Sequence, residues 1–466
     1  MKTQRRICAH AALLFLLAAA VCAPSFAKYG KDVKLSIGVW VKRELALRHF
    51  QVTNVGANGP ANGVLQVGDL ILGVGSSAFT PSVVSSANLS QKDDIQAVDP
   101  FPELANAVEA AQASATGELK LLIDRGGTQS TVTLTLPAQP AFSSTFPFSC
   151  PRSMDFAEKI ADDLAVKIDG YIQQYGTGGA GSHLGTDTLA GLFLLNMGYA
   201  KYKRTIDLYA RDVCRWEIDD TANWGVSYST MFLSEYYVQA GRPDWVREKL
   251  LVFRDYIQQG SFEYCGWGHG YRGGDYGGGF GVMTSHMTLA LYYLVYAGIP
   301  VNEAYLRTAL AQAITLVGGS GSVSYKGVSG EKATQGPFDL NACLAQTSPT
   351  WANSHARCAI MGMGFLAGGV EKDRARGIAH FLWRTRFQTN NPHGNCPAMS
   401  MVFSALLLAS EDPAEFRDFM EFFKFRFVLS QRSWNGSFEK WGMEMVNDWE
   451  GKKGGGPYGL ASMGLI

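Results

Sequence analysis

Residues 62–75, NGVLQVGDLILGVG, decide how the first third of the chain is read, because glycine turns bracket a short apolar strand that ends in a designed reversal. Glycine reaches the backbone angles that such turns require at little steric cost. Working outward, period-two alternation recurs in KLSIGVWV from Lys34, FQVTNV from Phe50, ELKLLIDRG from Glu118 and STVTLTLP from Ser130, and it predicts strands. Between them, residues 102–113 (PELANAVEAAQA) place Leu104, Ala107, Val108 and Ala111 on one helical face, with Pro102 near the start and Glu103 in the first turn. Residues 76–100 are polar and serine-rich and read as a surface loop, not a strand. Asp69 reads as a turn former and not as a catalytic group.

The order of these elements resembles PDZ domains attached to exported bacterial proteases. The likeness covers residues 31–137 and is carried by GPANGVLQVGDLILGVG and LKLLIDRGGTQSTVTLTL. It implies that the C-terminus of a peptide or protein adds as an extra strand beside the second strand. The amides of a hydrophobic-Gly-hydrophobic loop would receive its carboxylate. The matching residues are Ile37, Gly38 and Val39, although the segment before them is charged and lacks a second glycine. The alternative is a PDZ-like spacer with no ligand of its own.

Residues 1–27 read as a signal peptide: Lys2, Arg5 and Arg6 precede an apolar stretch, and Ser25-Phe26-Ala27 forms a small-x-small cleavage site. The expected location is secreted or periplasmic. Val21 stands before Cys22, where lipid attachment favours a small residue. The apolar stretch is too short for a span and no later one is long enough, so no membrane span is expected. Acidic and basic residues balance at 41 each, which gives no field favouring nucleic acid. The mature chain keeps Cys150, Cys214, Cys265, Cys343, Cys358 and Cys396. An exported setting permits disulfides among them, but buried thiols are as good a reading, and no C-x-x-C pair suggests zinc. No metal site and no cofactor are expected.

Residues 138–152, with Pro140, Pro147 and Pro151, read as a stiff linker. Beyond it, over residues 153–466, the period changes to that of helices. A unit recurs about six times: a glycine-rich or polar loop, a helix of small and apolar residues, a turn and a charged amphipathic helix. The apolar helices begin near Thr186, Gly225, Gly281, Asn353, Pro397 and Pro457. A helix apolar all round must be buried, whereas one with a charged face can coat the outside. An inner ring inside an outer ring satisfies both. This resembles the (α/α)6 toroid of terpenoid cyclases, protein prenyltransferases and many polysaccharide lyases and glycoside hydrolases. The cyclase acidic run is missing, since Asp219 and Asp220 stand alone, and the prenyltransferase Asp-x-Cys pair is absent. The whole is similar to an uncharacterised bacterial family of secreted proteins with a PDZ domain and an α/α toroid. The expected fold class is multidomain α+β: a small β-rich PDZ domain, then an all-α toroid.

In such a toroid the loops entering the inner helices gather at one end. The sharpest of them is GWGHGYRGGDYGGGFG, residues 266–281, whose glycines let backbone approach a ligand or helix closely. His269, Tyr271 and Asp275 are residue types suited to proton transfer. A glycan lyase would pair a Tyr with a His and hold a sugar carboxylate with Arg357 or Arg272. A hydrolase would need opposed carboxylates, such as Asp220 with Asp275 or Glu444. Trp224, Tyr228, His286 and His355 also fall on these loops or at inner-helix starts. The leading reading is binding or scaffolding through the PDZ module beside a polar toroid cleft. The alternative is a carbohydrate-active lyase or hydrolase with a glycan in that cleft.

Overall fold

The structure is a computed structural model describing residues 33–42, 49–80, 100–142, 150–175, 184–218, 223–262, 266–268, 270–272, 279–325, 338–346, 355–386 and 397–430. An antiparallel sheet forms the N-terminal part and helices form the rest, an α+β layout. Its strands are β1 (Val33–Leu35), β2 (Val39–Lys42), β3 (Phe50–Val55), β4 (Leu70–Val74), β5 (Ser77–Ala78), β6 (Glu118–Arg125) and β7 (Thr128–Thr135). The order is β1-β2-β3-β4-β6-β7, with β5 paired to β4. Helix α1 (Phe101–Ala113) buries Phe101, Leu104, Ala105 and Val108. The Phe101 ring lies 4.7 Å from Phe50, which meets Phe79 at 5.6 Å.

Two expectations are corrected here. KLSIGVWV is not one strand: it breaks at Ser36–Gly38, where Gly38 has φ of +91° and a Cβ would press on Gly59 Cα at 3.0 Å. The apolar alternation continues through the turn because Ile37 is itself buried. The segment after Gly75 is not loop throughout, since it opens with β5. Asp69 behaves as a structural residue. It accepts the Gln66 amide at 2.8 Å and a two-pronged contact from Arg125 at 2.8 and 2.7 Å. That hydrogen bonding holds its carboxyl below the usual range.

The helices are α2 (Pro151–Tyr175), α3 (Leu184–Arg215), α4 (Asn223–Gln239), α5 (Asp244–Gln259), α6 (Gly281–Tyr296) and α7 (Glu303–Thr315). They continue as the short α8 (Leu340–Leu344), then α9 (His355–Gly368), α10 (Lys372–Arg384), α11 (Pro397–Glu411) and α12 (Pro413–Ser430). Helix α3 is two helices joined at a kink, with Gly198 at φ of +121°. Nearly every residue of α4 and α6 is buried, so these are inner helices. In α5, by contrast, only Val246, Leu250, Phe253 and Ile257 are buried, one stripe at helical spacing.

Inner helices pack in succession, α3 on α4, α4 on α6, α6 on α9 and α9 on α11, while α5, α7, α10 and α12 back them. The row is curved: Tyr228 of α4 comes within 6.5 Å of Phe403 of α11, although α6 and α9 stand between those helices in the packing order. No described helix is long and apolar enough to cross a membrane.

The two parts touch. Helix α12 packs on α1 and reaches β1, and Leu429 accepts the Ser36 amide at 2.9 Å. Lys424 pairs with Glu109 at 3.2 Å. The expected linker is pinned at both ends of its described part. Arg152, 4 % exposed, donates to Pro140 O and Gln112 Oε1, both at 2.8 Å, and Gln139 bonds back to Gln112. Helix α2 begins at Pro151, inside the expected linker, where proline suits a first helical turn. Cys214 and Cys343 carry free thiols, so a disulfide framework joining all six cysteines from Cys150 to Cys396 does not form.

Candidate functional site

Asn223 opens α4 and Gly281 opens α6, and the loop 266–281 is tied to both helices. The Asn223 amide donates to Gly268 O at 2.7 Å and to Gly270 O at 2.9 Å. Trp267, fully buried, donates from its indole to Ile257 O at 3.0 Å, and its carbonyl accepts the Phe280 amide at 2.7 Å. Gly281 donates to Tyr325 O at 2.8 Å, and a Cβ there would lie 2.0 Å from Ser324 O. The glycine allows two backbones to meet at the helix start.

Above this floor sits a cluster that sequence reading named only as separate residues. His286 Nδ1 is 2.8 Å from Val282 O and its Nε2 is 3.0 Å from Tyr228 Oη. A carbonyl only accepts, so Nδ1 carries the ring proton and Nε2 accepts from the Tyr228 hydroxyl. Both residues have no exposed surface. Burial pulls His286 down to about 4, against the opposing effect of the Val282 carbonyl, so the ring is neutral. Trp224, half-buried on the first turn of α4, meets the imidazole edge-on at 4.9 Å, and Phe403 lies 6.4 Å from it on the side of α11. The result is one aromatic ring with some access, backed by a neutral hydrogen-bonded Tyr–His pair. A signal for the pairing was present: Tyr228 and His286 stand at the same offset from the first residues of their helices.

The other expected residues lie elsewhere. Tyr271 packs on Tyr256, with centroids 4.9 Å apart, at the end of outer helix α5. Arg272, exposed, caps the same end by donating to Gln259 O at 2.8 Å. Arg357, 5 % exposed, donates to Val323 O at 2.7 Å beneath the Tyr325 ring. His355 is buried between Phe381 and Thr385, whose hydroxyl is 2.8 Å from Nε2, and burial pulls it to about 4 as well. Ile37 and Val39 are buried around the turn at Gly38. His269, Asp275 and Asp220, with the proposed partner Glu444, lie outside the described residues. Among the described residues, no three His, Cys, Asp or Glu side chains are gathered to hold a metal ion.

A surface groove of about 710 Å³ runs beside the end of α5, lined in part by Gln258, Gln259, Phe262, Arg272 and Tyr305. Its polar edge serves the helix end, because Tyr305 also caps Ile257 O.

Fold and site together define a two-part α+β protein with an enclosed aromatic and polar cluster among its inner helices. Residues 157–342, from within α2 into α8, match the model of a family described as a domain of unknown function, DUF6288. Tyr228, His286 and the glycine-rich loop fall inside that match. No curated protein matches the chain.

Proposed function

We propose that this is an exported binding protein, made of a PDZ-type module that holds a partner strand and an (α/α)6-type ring that takes a glycan where α4 and α6 begin. The observation that carries the binding role is Trp224, a half-buried ring on the first turn of α4, set against the enclosed Tyr228–His286 pair. An aromatic face beside fixed hydrogen-bonding groups is the combination that receives a sugar ring. The curved row of inner helices, with Tyr228 meeting Phe403 across it, supports the ring. Full burial of His286 and Tyr228 favours binding over turnover, because neither member of this described pair is open to solvent.

A glycan array probed with the chain lacking residues 1–27 tests this. Binding that is lost in Trp224→Ala supports the reading. Retention of the same glycans by Trp224→Ala overturns it, as does the absence of any glycan ligand.

A second reading has its own observation. A neutral imidazole accepting from a tyrosine hydroxyl is a ready proton relay, as a glycan lyase needs. Turnover of a uronate-containing polysaccharide, followed by ultraviolet absorbance of unsaturated product and abolished in Tyr228→Phe, would select it over simple binding.

A further inference from the structure

The proposed module holds a partner strand, and the geometry of β2 indicates which strand that is. A strand has two hydrogen-bonding edges. On one edge of β2, Val39, Trp40, Val41 and Lys42 face Val55, Asn54, Val52 and Gln51 of β3. On the other, Val39, Trp40 and Val41 face Leu35, Lys34 and Val33 of β1, also antiparallel. A peptide adding beside β2 with its C-terminus at the 36–38 turn would run in this same direction on this same edge.

The match extends beyond the backbone. Leu35, at the turn end of β1, is 2 % exposed, and Lys34 sets its ammonium 5.2 Å from the Trp40 ring. In the loop that would receive a carboxylate the Gly38 amide is engaged, donating to Leu35 O at 3.0 Å, and beside it Ser36 donates to Leu429 O at 2.9 Å. Helix α12 closes over the site, packing on both α1 and β1.

We infer that β1 is the resident ligand of the module's peptide edge, so that the module is closed to outside C-termini and serves to clamp the sheet onto α12. This rests on reading the sheet as a PDZ-type module; the pairing of β2 on both edges does not.

The experiment uses the chain lacking residues 1–27 and a fluorescein-labelled peptide with the sequence of residues 31–35. Wild type should leave the peptide free in anisotropy titrations. Leu35→Asp, which puts a charge into the buried anchor position and expels β1, should bind it at least about tenfold more tightly. Wild-type binding as tight as that of Leu35→Asp overturns the inference, and so does a folded Leu35→Asp that binds nothing. Hydrogen exchange on the wild type tests the pairing independently of the variant's folding. Slow exchange throughout Val39–Val41 is expected, and fast exchange of the amides on one edge overturns the inference. Slow exchange together with a folded, non-binding Leu35→Asp would leave β1 paired with β2 and overturn the inference by removing the PDZ-type reading on which it rests, whereas fast exchange on one edge would overturn it at the pairing itself.

Discussion

At the seam between α1 and α12, buried and half-buried polar groups carry charge and meet partners: Lys424 pairs with Glu109, and Arg152 reaches Gln112 and Pro140 O. Among the inner helices the buried polar groups include Ser227, Thr230, Thr284, Ser285 and a neutral His286, with Arg357 and the carboxyl of Asp212 as ionisable exceptions. At the seam each cation that is taken from water meets a partner directly, Glu109 for Lys424 and Gln112 with Pro140 O for Arg152. Deep in the helical layers desolvation is nearly complete, and hydroxyls that bond to their own helix are the cheaper solution. Thr230 and Ser285 do this, donating to carbonyls one turn back. His286 follows the same rule by giving up its charge.

This contrast can be broken in order of effect. Gly281→Ala puts a methyl group against a backbone carbonyl at the start of α6, where neither chain can yield. A loss of about 3 kcal/mol in denaturant unfolding is expected. Next is pH. His286 titrates at about 4 when folded against 6.5 unfolded, so between those values the unfolded state binds the proton and the folded state does not. Stability should therefore rise with pH across that window by roughly 3 kcal/mol and level off above it, with His355 adding in the same direction. Melting temperatures of wild type and His286→Asn, taken across the window, check this, because the variant should lose part of the slope.

Arg152→Ala leaves Gln112 and Pro140 O without their donor at the seam and should cost about 2 kcal/mol. Added salt should change that loss little, since the group is enclosed. Tyr228→Phe is the mildest. It removes one hydroxyl and leaves Nε2 of His286 unsatisfied, for about 1 kcal/mol, with the inner helices otherwise intact.

Much of the helical part was legible because its loops carry strong punctuation. Glycine at 281 and proline at 397 stand at helix starts, and charged stripes mark α5 and α10 as outer helices. Alternation alone did not show the split of β1 from β2, because buried Ile37 keeps the strand rhythm running through the turn; only the resemblance, which put a loop at Ile37, Gly38 and Val39, marked the place. Likewise β5 is too short for alternation to register. The Tyr228–His286 pair was missed for a different reason. Its members are 58 residues apart on two helices that pack directly on each other, and only their equal offset from the two helix starts, Asn223 and Gly281, hints at the pairing. The glycine-rich loop drew attention through composition. In its described residues those glycines serve close backbone contacts, and Tyr271 and Arg272 serve the end of α5.

The claim on which the account turns is that the inner helices hold a neutral His286 bonded to Tyr228. Nitrogen-resolved NMR of the His286 ring, followed from neutral pH down to about 5, tests it directly. The account expects the proton on Nδ1 and an accepting Nε2 throughout, with the Nε2 signal shifting in Tyr228→Phe. A ring that becomes charged near the ordinary histidine value of 6.5 would contradict it.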